Sequence, residues 1–383
     1  MTTQRPGHLA LIVTLAAAVG IGAPGTAVAT CGAWSRTTVA DPSPQFDALQ
    51  GVDVVSPTDA WAVGSYGVAG FGNHGLIEHW GGSAWVVEDN PSTATHANWL
   101  MGVAEVDPTD VWAVGFYIDS SADDHPLMQH FDGADWTDVT PPAFPNGQGG
   151  RLLSISAVPG TDEAWAVGFR HESSSAHHTV VLRYDGDTWT LSTSPDPASF
   201  ENHLSSVVAT SATDAWAVGY QTSTSTFVKR TLALRWNGVD WSTVGTPNVG
   251  AKANVLNGVS AAGGASYAVG SHASRTLIER WNGSAWTVEA SADPGTRYDT
   301  LTDVVAVSAR GAWAVGYDDS GSASKALVEH RSRTGTWSVQ TAPTGGRAGT
   351  NLWGVDASSG SDVWAVGQSG VGSDERGFAL YRC

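Results

Sequence analysis

The sequence predicts an all-β fold, a seven-bladed β-propeller with four antiparallel strands per blade and a ring closed by the N-terminal strand joining the last blade. Three observations predict it. The tetrapeptide W-A-V-G recurs at Trp61, Trp112, Trp165, Trp216, Trp313 and Trp364, with a seventh copy reading Tyr267-Ala268-Val269-Gly270. A second tryptophan series, Trp34, Trp85, Trp136, Trp189, Trp241, Trp286 and Trp337, keeps the same register and follows turns such as WGGSAW and YDGDTW. The chain begins this pattern at its fourth element and ends on its third, Phe378–Arg382.

Spacings between W-A-V-G copies are 51, 53, 51, 51, 46 and 51 residues, the period of a four-stranded blade. Each unit opens with an L-x-x-V run: Leu49/Val52, Leu100/Val103, Leu152/Ile155, Leu204/Val207, Leu256/Val259, Leu301/Val304 and Leu352/Val355. A Ser/Pro/Thr/Asp/Gly turn follows, as in SPTDA. The W-A-V-G strand comes next and is apolar on both faces, with large side chains on one and small ones on the other. A sheet sandwiched between two neighbours needs that profile; a strand with a wet face would alternate apolar and polar. The third run (LIEHW, LMQHF, LVEHR) leads through Asn-Gly or Asp-Gly turns to the fourth strand, which starts at the second-series tryptophan.

Residues 1–29 carry Arg5, an apolar stretch from Leu9 to Ala23 and the A-x-A site Ala27-Val28-Ala29, so a signal peptide ending there is predicted, with 30–383 as one secreted domain. No other stretch reaches 18 consecutive apolar residues, so no membrane association is expected after cleavage. The formal charge of −18 opposes nucleic acid and anionic lipid. Cys31 and Cys383 are the only cysteines. An even pair in an oxidising compartment reads as a disulfide, here standing in for the hairpin that the last blade lacks.

The W-A-V-G … H-W-[ND]-G-x-x-W pattern resembles the repeats of secreted bacterial β-propeller proteins over about residues 31–383. The D-G-x-x-W turn is also similar to part of the Asp-box of sialidase-type propellers, without the Ser or Thr two residues before the Asp. The double glycine of kelch-type propellers is absent. The resemblance implies the fold and no particular activity.

Candidate site residues come from the rim where the longest loops meet. Two residues before the first-strand leucine stand Asp47, Asn98, Asn202, Asn254 and Asp299, expected to ring the channel mouth and to recognise sugar hydroxyls or a cation. Trp99, Arg151, His203 and Asn351 break the sevenfold regularity beside them, and Trp99 and Trp353 are candidates for stacking on a sugar ring. His79, His130 and His330 share one third-strand position, whereas His74, His96, His125, His171, His177, His178, His203 and His272 fall in or beside rim loops. Asp123-Asp124-His125, Asp318-Asp319 and Asp374-Glu375 are candidate Ca²⁺ ligands, although none has calcium-loop spacing.

The leading expectation is a monomer that binds an extracellular ligand, carbohydrate above others, on the loop-rich rim. A polysaccharide lyase or glycoside hydrolase using His178, His203, Asp47 and Asp299 is the first alternative. A scaffold for another secreted protein is the second. Nothing spells G-x-S-x-G, H-E-x-x-H or C-x-x-C, although a propeller can assemble catalytic residues from different blades without a local motif.

Overall fold

A computed structural model describes residues 32–69, 72–91, 97–147, 149–172, 176–292, 298–319 and 321–383. The predicted signal peptide, Cys31 and His96 lie outside them. Among the described residues there are 28 strands, two single-turn 3₁₀ segments and no α-helix.

The strands form four-stranded antiparallel meanders, one per sequence repeat. First strands run Asp47–Ser56, Ala97–Asp107, Gly150–Ala157, Glu201–Ser211, Asn254–Ala262, Asp299–Ala306 and Thr350–Ser359, and we number the units 1 to 7 in that order. Units 3 and 4 are joined into one larger sheet by a parallel bridge between His177 and Glu201. Unit 7 takes its fourth strand from the start of the chain: Ser35–Thr37 pairs antiparallel with Arg376–Arg382, Ser35 opposite Tyr381. Gly32 N donates to the Cys383 carbonyl at 3.0 Å.

Every first strand carries the same irregularity. Pairing with the second strand slips by one residue just after the leucine, at Leu49/Gly51 and at each equivalent position through Leu352/Gly354. This bulge explains the L-x-x-V spacing. On a regular strand residues three apart face opposite ways, and one extra residue returns both to the core face. It also explains the glycine of W-A-V-G, because the slipped backbone drives a carbonyl against the second strand. A Cβ at Gly64 would collide with the Ala48 carbonyl, and Cβ atoms at Gly115, Gly168, Gly219, Gly270, Gly316 and Gly367 would meet the same obstacle.

The core lies between units. Each second-strand tryptophan packs edge-on against the fourth-strand tryptophan of the next unit: Trp61 on Trp136 at 5.6 Å, Trp165 on Trp241 at 5.1 Å, Trp216 on Trp286 at 5.0 Å. The series continues through Trp313 on Trp34 at 5.3 Å and returns to the beginning with Trp364 on Trp85 at 5.1 Å. Large rings over the small face of a neighbour fill that space to interior density.

The repeated histidines serve this packing. His79 and His130 stack on Trp61 and Trp112 at 4.1 and 4.2 Å. Each also hydrogen-bonds, at 2.8 Å, the aspartate two residues before that tryptophan, Asp59 or Asp110. In units 3 and 4 Arg183 and Arg235 take the place of histidine, paired with Glu163 and Asp214.

Candidate functional site

Residues of all seven first strands line one open cavity, a channel of about 820 Å³. The residue that the bulge adds after each leucine lines it: Gln50, Met101, Leu153, Ser205, Asn257, Thr302 and Trp353. The sequence pointed instead to the residues two before the leucine, and this is corrected by the structure. Asp47, Asn98, Asn202, Asn254 and Asp299 are all buried. Asn202 Oδ1 accepts from Ala198 N and its Nδ2 donates to Ala198 O, both at 2.9 Å. Asn254 makes the equivalent bonds to Val249 N and Lys252 O at 2.8 Å, Asn98 accepts from Gly75 N, and Asp47 accepts from Gly377 N. Short polar side chains where strands begin satisfy the incoming loop backbone, and here that backbone consumes the amides of Asn202 and Asn254. Burial pushes the Asp47 carboxyl up to about 7 even against the Gly377 N–H.

Trp99, Arg151 and His203 belong to a stacked ladder across units 2 to 4. Trp99 lies on Phe116 at 4.9 Å, and the Arg151 guanidinium covers the same ring at 4.1 Å while pairing with Asp124. His203 is sandwiched between Phe169 at 4.2 Å and Tyr220 at 4.8 Å, and Lys229 caps Tyr220 at 3.8 Å. Burial lowers the His203 imidazole to about 3, so it is neutral at any ordinary pH. Burial alone would raise Asp124, but hydrogen bonds from Arg151 and His171 outweigh it and hold the carboxyl below its ordinary value. His178 bonds Asp196 at 2.7 Å and Glu172 at 2.8 Å on the outer part of unit 3. The four residues considered for catalysis, His178, His203, Asp47 and Asp299, therefore occupy separate surroundings.

A bracket system in the channel wall was not read from the sequence. Ser154, Ser156, Ser206 and Ser260 each accept a backbone N–H from the next unit, at Val207, Ala209, Val259 and Ala306, over 3.0–3.2 Å. From unit 6 to unit 2 aspartates do the same work. Asp303 accepts from Val355 N at 3.0 Å, Asp356 from Val54 N at 2.7 Å and Asp53 from Glu105 N at 2.7 Å. Burial raises all three, Asp303 to about 7 and Asp356 to about 6; Asp53 goes well above its ordinary value, pushed further by the Asp356 charge. The signal available in the sequence was polar residues at one alternating position of an inner strand.

Among the described residues no group of three or more His, Cys, Asp or Glu side chains is placed to hold a metal ion. At the first candidate Ca²⁺ cluster, Asp124 is committed to Arg151 and His171.

Neither a family model nor a curated protein sequence matches the chain. Similarity is found among solved structures. A Trypanosoma rangeli sialidase in complex with the inhibitor DANA is 8% identical with a TM-score of 0.51, covering 88% of this chain and 55% of that one. YCF48 bound to D1 peptide (14% identity, TM-score 0.44) covers 73% of this chain and 81% of its own. YjhT (11%, 0.47) covers 79% and 99%. All three are β-propeller proteins. The fold is a β-propeller. At these identities the likeness extends to the fold alone.

Proposed function

We propose that this chain is a secreted, monomeric, seven-bladed propeller that binds an extracellular carbohydrate at the rim-side mouth of its channel. Support for the ring comes from the cycle of inter-unit tryptophan contacts and from the Asp356 bracket to Val54, which ties unit 7 to unit 1. With every unit face covered by a neighbour, a monomer leaves no seam open. Secretion rests on the signal peptide read over 1–29, with maturation at Thr30. A disulfide between Cys31 and Cys383 is supported by the Gly32–Cys383 backbone bond and by the lack of a free thiol among the described residues. Closing so long a loop restricts the unfolded chain by about 4–5 kcal/mol in the entropic account.

The observation that carries the ligand class is the mouth itself. Trp353 lines the channel with Tyr317 edge-on at 5.6 Å and Thr300 beside them, while the Thr302 hydroxyl is bonded to the Val315 and Leu352 carbonyls and the Asn257 amide nitrogen to the Leu301 carbonyl. An aromatic pair beside a hydroxyl suits a pyranose, which has an apolar face and a polar perimeter. Binding to an array of neutral and acidic glycans tests the reading. Saturable binding to a defined glycan is expected, and no binding to any would overturn it.

A further inference from the structure

The channel mouth is not uniform around the ring. Over units 5 and 6 it opens into a recess of about 530 Å³, shared with the channel through Val255, Ser271, Thr300 and Tyr317. That size falls in the range of about 300–1,000 Å³ usual for small-molecule sites. Three features set the recess apart. Its wall holds Ala273, Ser274 and Tyr298 at φ of +50°, +68° and +58°. These are three of the five non-glycine residues with left-handed φ among the described residues, and such conformations persist where surrounding structure imposes them. Here the Ser274 carbonyl accepts Asp299 N at 3.2 Å, tying the turn of unit 5 to the start of unit 6.

The second feature is Tyr298, which leaves 58% of its surface exposed at the edge of the recess. The third is charge. Lys252 and Asp319 line the recess from units 5 and 6, and neither side chain has an ion-pair or hydrogen-bond partner among the described residues. An ammonium and a carboxylate sharing one recess without pairing are available to a ligand that offers acceptors to one and donors to the other.

From this geometry, and resting on the carbohydrate reading above, we infer that the recess is the primary subsite and that it takes the terminal ring of a neutral glycan. Asp319 accepts from vicinal hydroxyls, Lys252 donates to a ring or hydroxyl oxygen, Tyr298 covers the apolar face, and Thr300 and Ser271 complete the perimeter. A uronic or otherwise anionic sugar is disfavoured, because Asp319 faces it and the whole chain carries −18.

The test is calorimetric titration of the full mature protein with lactose, cellobiose and maltose, comparing Tyr298→Ala, Asp319→Asn and Lys252→Met with wild type. All three positions are exposed, and each variant's melting temperature is expected to match wild type. One of the disaccharides should bind, with affinity falling about tenfold in Tyr298→Ala and tenfold or more in Asp319→Asn. A disaccharide bound equally well by all variants would overturn the subsite and leave the carbohydrate reading standing. So would binding of acidic glycans alone. Binding of no glycan of any kind would overturn that reading itself.

Discussion

Glu279 offers the sharpest test of the packing between units. It sits in the third strand of unit 5 with its side chain buried, and neither carboxyl oxygen meets a hydrogen-bond donor among the described residues. Burial raises its pKa from the ordinary 4.5 to about 8. Between those values the folded protein keeps a proton that the unfolded chain releases, so stability falls as pH rises through the window. Below pH 4.5 both states are protonated and the penalty vanishes. A displacement of that size is linked to about 5 kcal/mol, an upper figure because partial water access would reduce it. Glu279→Gln removes the ionisation and keeps the shape. Denaturant titration at pH 5 and pH 9, with unchanged slope, reads the difference. At pH 5 the variant should lie within about 1 kcal/mol of wild type, and at pH 9 it should be more stable by about 3–5 kcal/mol. Equal stability at pH 9 would show that the carboxylate is solvated or paired, and the reasoning would fail.

Gly219→Ala forces a Cβ into the His203 carbonyl and should cost about 3 kcal/mol or more, whereas Gly81→Ala, with open space around it, should be neutral; denaturant midpoints compare them. Asp356→Ala leaves Val54 N unbonded at the 7–1 seam and should cost about 1–3 kcal/mol at pH 5. The cost should shrink at pH 8, where the variant also removes repulsion from Asp53, so a pH-independent cost would argue against that repulsion. The His203 ring should remain neutral in an NMR titration down to pH 4, and His203→Phe should fold with stability within about 1.5 kcal/mol of wild type. Protonation of that ring near pH 6 would contradict its place in the ladder.

Much of the architecture was legible because tryptophans and glycines recur in phase, and only a repeated interface demands that. The closure of unit 7 by Ser35–Thr37 followed from which strand motif came first and which came last. The site was harder to read, for reasons that individual residues show. L-x-x-V was recognised as a strand, but its odd spacing was the trace of a bulge, and without the bulge the channel-lining position is assigned to the wrong residue. Asn202 and Asn254 look like ligand contacts in a list of polar residues, yet their amides are consumed by loop backbone. Trp353 lines the channel, while Trp99 is taken up by Phe116. The recess at Tyr298 depends on backbone conformation at Ala273 and Ser274, which no side-chain pattern announces.

The central claim is a ring closed by its own beginning, and a non-reducing peptide mass map of the protein recovered from culture medium tests it most directly. The account predicts a mature chain starting at Thr30 and one linked peptide joining Cys31 to Cys383. Two separate free thiols on the folded, exported protein would contradict it.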